Sequence, residues 1–128
     1  MDFLAQGKYD EAMQAFNEAI KIDPQDTEAW NSKGNALICQ ERYDEAVQAF
    51  DKAIEIDPQK NALPWVLKGN ALLDQEKYDE AIKAYDKALE IDPYYAEAWK
   101  GKGDALKALG RTSEADAAFA KAKELLQR

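Results

Sequence analysis

Trp30-x2-Lys33-Gly34 returns as Trp65-x2-Lys68-Gly69 and again as Trp99-x2-Lys102-Gly103, at steps of 35 and 34 residues. Each phrase is followed by a small residue and an aromatic one helical turn apart: Ala46/Phe50, Ala81/Tyr85 and Ala115/Phe119. A fourth copy of that second half, Ala12/Phe16, opens the chain, and Asp23-Pro24, Asp57-Pro58 and Asp92-Pro93 close three of the copies. A repeat of this length decides the fold before any single residue does. Each unit is one supersecondary element that buries its apolar face on its neighbours, so no single globular core is expected.

The apolar spacing gives the unit its shape. Trp30, Gly34 and Leu37 stand at i, i+4 and i+7, and Ala46, Phe50 and Ala53 do the same in the next segment, each marking one face of a helix. Gln40-Glu41-Arg42 is the polar hinge between them. The spacing predicts first helices at 27–40, 62–75 and 96–109, and second helices at 9–22, 43–56, 78–91 and 112–127. The short links make each pair an antiparallel αα-hairpin. Asp-Pro ends each second helix, because the residue before proline is pushed out of the helical region. Gly34, Gly69 and Gly103 sit mid-helix, where glycine costs ~1 kcal/mol relative to alanine. That cost is repaid where two helices approach closely and Trp30, Phe50, Trp65, Tyr85, Trp99 and Phe119 fill the adjoining space. A tryptophan so placed reads as core rather than as a platform for stacking a ligand.

Charge and residue types exclude several kinds of function. The net charge is −8 and the pI about 4.6, the opposite of a nucleic-acid footprint of clustered Lys and Arg and unsuited to anionic membrane surfaces. No run of ~20 apolar residues is present to span a bilayer. No secretory signal pattern opens the sequence, and the lone Cys39 forms no internal disulfide, which fits a cytoplasmic chain. With no His, there is no Ser-His or Cys-His pair, no imidazole base and no His metal ligand. One cysteine does not make a thiolate zinc site. Asp74, Glu97 and Asp104 are the only carboxylates suited to groove chemistry, and no spacing rule ties them together. No catalytic residue, metal or cofactor is expected.

The pattern resembles the tetratricopeptide repeat, a 34-residue unit reading W-x2-L-G-x2-Y, then A-x3-F, then P. The resemblance covers essentially the whole chain. It departs at Lys33, Lys68 and Lys102, where the family has Leu, and at Leu37, Leu72 and Leu106, where it has Tyr. It implies an all-α, right-handed superhelix of about three and a half units: 1–26, 27–61, 62–95 and 96–128. It also implies a concave groove lined by the first helices. The family's groove-facing positions fall on Glu28, Asn31, Asn35, Ile38 and Cys39; on Leu63, Val66, Asn70, Leu73 and Asp74; and on Glu97, Lys100, Asp104, Lys107 and Ala108. Asn35 and Asn70 offer amide donors and an acceptor to a peptide backbone. Leu63, Val66 and Leu73 form an apolar saddle, and Lys100 and Lys107 place cations at one end. The lining suits a peptide with an apolar anchor and an acidic group. The subtype that clamps chaperone C-termini would use the positions of Asn31, Asn35, Leu67, Glu97 and Gly101. Only Asn35 matches, so that partner is not expected.

Three irregularities stand out. Pro58 to Trp65 is one residue longer than the matching steps, with Asn61 as the expected N-cap and Pro64 in the first turn, where a proline is tolerated. On the last second helix, Asp116 and Lys123 replace the apolar Met13, Val47, Ile82 and Ile20, Ile54, Leu89 of earlier copies, as suits a terminal repeat with a polar outer face. At the other end Met1 aligns with Asn35, so the first unit has only part of its first helix. The expected function is a non-catalytic scaffold that binds a peptide in the groove. The alternative is self-association as a homo-oligomer, burying Phe3 and Leu4 with the open side of helix 9–22.

Overall fold

In the computed structural model the described residues are 3–127, with side chains described from residue 6 onward. They form seven helices and no strands: α1 Phe3–Ile22, α2 Thr27–Cys39, α3 Tyr43–Ile56, α4 Leu63–Asp74, α5 Tyr78–Ile91, α6 Ala96–Ala108 and α7 Thr112–Leu126. Six of these lie within two residues of the sequence expectation. The chain divides into two compact units, Met1–Pro58 with α1–α3 and Gln59–Arg128 with α4–α7.

The hairpin turns have one geometry. Glu41 and Glu76 both adopt φ 60°, and Gly110 adopts φ 80°. The following amide then reaches back into the first helix: Arg42 N–H to Leu37 O at 2.8 Å, Lys77 to Leu72 at 2.9 Å, Arg111 to Leu106 at 2.9 Å. Such bonds satisfy carbonyls that a helix C-terminus leaves open. The repeat register puts Gly7 at this same place, yet there α1 runs straight through as one 20-residue helix. The sequence reading of a helix beginning at residue 9 is therefore extended to Phe3.

Helix starts are chemically distinct. Asp26 caps α2, its carboxylate accepting from Ala29 N at 3.3 Å. Asn61 Oδ1 accepts from Leu63 N at 3.1 Å, so the extra residue of the longer link is absorbed beside an amide that ties down the start of α4, and Pro64 is buried in its first turn. Arg42 and Arg111 pair with Glu45 and Glu114 in the first turns of α3 and α7. Those carboxylates also face the positive end of the helix dipole.

Rings seated on glycines hold each hairpin together. In the first unit Phe50 is fully buried and lies so close to Gly34 that a Cβ there would come within 3.0 Å of it. In the second unit Tyr85 fits between Gly69 and Gly101, and Phe119 against Gly103, with the same closeness. The facing alanines, Ala46, Ala53, Ala81 and Ala88, are all 0% exposed. The tryptophans are half-buried, and two of them tie their helix to the loop before it. Trp30 Nε1 donates to Pro24 O at 3.1 Å and Trp99 Nε1 to Pro93 O at 2.9 Å. The lysines that replace the family's leucine lie over these rings, 5.5 to 5.7 Å from the centroids, so the substitution keeps an attractive contact with the indole. On α7, Asp116 and Lys123 are exposed, while Ala115 and Ala118 pack with Leu106 and, around them, Ile82, Trp99 and Phe119.

Candidate functional site

In each compact unit the candidate surface is the outward face of its own first helices, α2 in the first and α4 and α6 in the second. On α2 of the first unit, Glu28, Asn35 and Cys39 are exposed and Ile38 is half-buried. Asn31 is 7% exposed, and its Oδ1 has no hydrogen-bond partner among the described residues. Asn31 is therefore enclosed within the packing of α2 rather than displayed. Asn35, one turn on, is displayed, and no described side chain holds its amide. The Cys39 thiol lies against Tyr9, whose phenol pKa is raised by the hydrogen bond to that sulfur and by its charge.

On α4 and α6 of the second unit the expected lining divides. Leu63 is 37% exposed, but Val66 is 0% exposed and belongs to the core. Leu73 is half-buried, and Asp74, Glu97 and Lys107 are exposed. Lys100 is not a free cation: its ammonium pairs with Asp104 at 3.3 Å. Asn70 is half-buried and committed at both ends. The Tyr85 hydroxyl donates to Asn70 Oδ1 at 2.6 Å, and Asn70 Nδ2 donates to Glu97 Oε1 at 3.2 Å. Burial raises the phenol pKa of Tyr85, and the carboxylates of Asp104, Glu97 and Asp74 add to the effect. Tyr95 is shifted up for the same reasons, burial first and then Glu97 and Asp92.

Tyr85 is the residue of this site that the sequence reading set aside as a core aromatic. Its ring is core, but its hydroxyl crosses to the candidate face. Gly101 makes that possible, since a Cβ there would meet the Tyr85 hydroxyl and ring under 3.0 Å. The signal was present as a Phe-to-Tyr change at one repeat position, together with a glycine beside it. Phe3 and Leu4, the residues expected to bury themselves on another copy, have side chains outside the described residues. Among the described residues no group of His, Cys, Asp or Glu side chains could hold a metal ion, and no helix is long and apolar enough to cross a membrane.

Comparison with known proteins agrees with this architecture. Sequence models of the tetratricopeptide repeat match residues 1–61, 69–110 and 96–125. No curated protein matches the chain in sequence. Among solved structures, the Arabidopsis OM64 TPR domain is 28% identical with a TM-score of 0.74, covering 77% of this chain and 81% of its own. The second TPR of Spaghetti (RPAP3), bound to the HSP90 peptide SRMEEVD, is 27% identical with a TM-score of 0.75, covering 90% and 98%. MamA of MSR-1 is 25% identical with a TM-score of 0.79, covering 98% and 72%. The repeated Trp-x2-Lys-Gly helices, the glycine-seated rings and these matches lead to one statement: the chain belongs to the tetratricopeptide repeat family, whose members are in general non-catalytic protein-interaction scaffolds.

Proposed function

We propose that the chain captures an extended peptide segment on the exposed face of a first helix, α2, with Asn35 as the group that grips the peptide backbone. The observation that supports this reading is the contrast between two asparagines at one repeat position. Asn70 is fastened between Tyr85 and Glu97, whereas Asn35 is exposed, and the repeat position of Tyr85 holds in its unit Phe50, a ring with no hydroxyl. A carboxamide offers a donor and an acceptor side by side, which matches the alternating groups of an extended backbone. Ile38 and Leu73 supply half-buried apolar ground in their respective units, and Leu63 is open to solvent.

The first helices of the second unit present a face of their own. With Lys100 held by Asp104, the exposed charges on its face are Asp74, Glu97 and Lys107. A segment presenting donors suits this face better than one presenting a terminal carboxylate. That argues against a chaperone-tail clamp, which the identities at Leu67, Glu97 and Gly101 already disfavour. The experiment is selection of binders from a displayed library of random linear peptides on the wild-type chain, followed by rebinding to Asn35→Ala. Loss of the selected peptides supports the groove. Retention of all of them places binding elsewhere.

A further inference from the structure

Glu28 and Glu97 occupy one repeat position and keep different company. Glu97 accepts from Asn70 Nδ2 at 3.2 Å. Glu28 is exposed, and no described side chain pairs with it. Each stands in the first turn of its helix, where the helix dipole favours a carboxylate, so the dipole does not set the two apart.

The α2 face around Glu28 carries no compensating charge. Lys33, the one cation of α2, lies over the Trp30 ring, 5.5 Å from its centroid. Arg42, in the turn that follows, pairs with Glu45. Asn31 stands between Glu28 and Asn35, 7% exposed, and its Oδ1 has no hydrogen-bond partner among the described residues. The same repeat position on α4 holds Val66, 0% exposed, so packing at that position is met by an apolar side chain. A buried carbonyl oxygen without a donor is a destabilising choice. Its partial charge adds to the negative potential of the Glu28 carboxylate about one turn away.

Three features therefore follow one another along α2: the open carboxylate of Glu28, the open amide of Asn35 and the half-buried apolar Ile38. The ten residues from Glu28 to Ile38 cover about 15 Å of helix axis. An extended segment rises about 3.3 Å per residue, so it spans that distance in roughly four to five residues.

We infer that the segment held by Asn35 carries a Lys or Arg side chain that pairs with Glu28 and, roughly four to five residues away, a large apolar side chain that rests on Ile38. The inference rests on the peptide-capture reading and names the chemistry of its partner. The net charge of −8 favours encounter with a basic segment over an acidic one.

The test is parallel selection from a displayed library of random linear peptides on the wild-type chain and on Glu28→Lys. Wild-type binders are expected to share a Lys or Arg at that separation from a large apolar residue, and Glu28→Lys binders to carry an acidic residue in its place. One wild-type binder is then compared by calorimetry with a version whose basic residue is alanine. On the wild-type chain the change is expected to weaken binding about threefold, the scale of one exposed ion pair, with less effect at high salt. On Glu28→Gln it is expected to change nothing. Binders without a basic residue, or a basic residue worth as much to Glu28→Gln as to wild type, would overturn the inference. Asn35→Ala separates it from the reading beneath it. Peptides lost on Asn35→Ala but indifferent to Glu28 remove the basic anchor alone, whereas peptides indifferent to Asn35→Ala remove capture by Asn35 itself.

Discussion

The Tyr85 hydroxyl donates a 2.6 Å hydrogen bond to Asn70 Oδ1, while one repeat earlier the corresponding positions hold Asn35 and the hydroxyl-free Phe50. One oxygen atom thus converts an amide on the candidate face into part of the scaffold. Tyr85 reaches it because Gly69 and Gly101 leave room for the ring on both sides.

Asn70→Ala should therefore destabilise the chain by about 1–3 kcal/mol, since it strands a buried phenol hydroxyl. Asn35→Ala, an exposed change, should stay within about 0.5 kcal/mol of wild type. Denaturant titration of the two variants compares them directly. Equal losses would contradict the assignment of Asn70 to the scaffold.

Alkaline titration probes the same hydroxyl. Burial first, and the Asp104, Glu97 and Asp74 carboxylates after it, raise the Tyr85 pKa above its usual value. The folded chain then holds this proton longer than the unfolded chain. Its contribution to stability is complete below the ordinary tyrosine value of about 10 and is lost as the pH rises through the folded value. Tyrosinate absorbance should show one phenol resisting ionisation until the chain unfolds, and Tyr85→Phe should remove that late step. Its persistence in the variant would assign it to another tyrosine.

The seated glycines should resist substitution. Gly34→Ala and Gly103→Ala each place a Cβ under 3.0 Å from a ring, and overpacking of this kind typically costs about 1–3 kcal/mol. Gly7→Ala has nothing within 4 Å to meet and lies inside α1, so it should instead stabilise by about 0.5–1 kcal/mol. Thermal unfolding of the three variants gives the sign of each effect. A destabilised Gly7→Ala would show that α1 bends at Gly7 in solution.

The hairpin turns contain strain that can be removed. Glu41 and Glu76 hold φ 60°, a region that costs a residue with a Cβ roughly 1–2 kcal/mol. Glu76→Gly should raise the midpoint of unfolding, as the glycine already present at Gly110 suggests. A lowered midpoint would mean that the Glu76 side chain contributes more than its backbone strain removes.

The helix pairs, the stopping residues and the charged outer face of α7 were legible in the sequence because each rests on a local rule: apolar period, proline, turn chemistry. The continuous α1 was not, because Gly7 is compatible with a turn and with a helix, and the repeat register favoured the turn. The candidate site was legible as a set of repeat positions but not as an environment. Val66 and Asn31 sit at groove positions and are buried, and Lys100 is paired. The division between Asn35 and Asn70 depends on a side chain fifteen residues from Asn70, on the partner helix. Periodicity aligns positions, whereas packing assigns their work.

The most direct measurement is the affinity of one library-selected peptide for Asn35→Ala and for Asn70→Ala, by calorimetry under conditions where both variants are fully folded. Loss of a hydrogen-bonding amide from the binding face predicts about a tenfold fall for Asn35→Ala and near wild-type affinity for Asn70→Ala. Wild-type affinity in Asn35→Ala, or a larger loss in Asn70→Ala, would contradict the assignment of Asn35 as the group that grips the peptide.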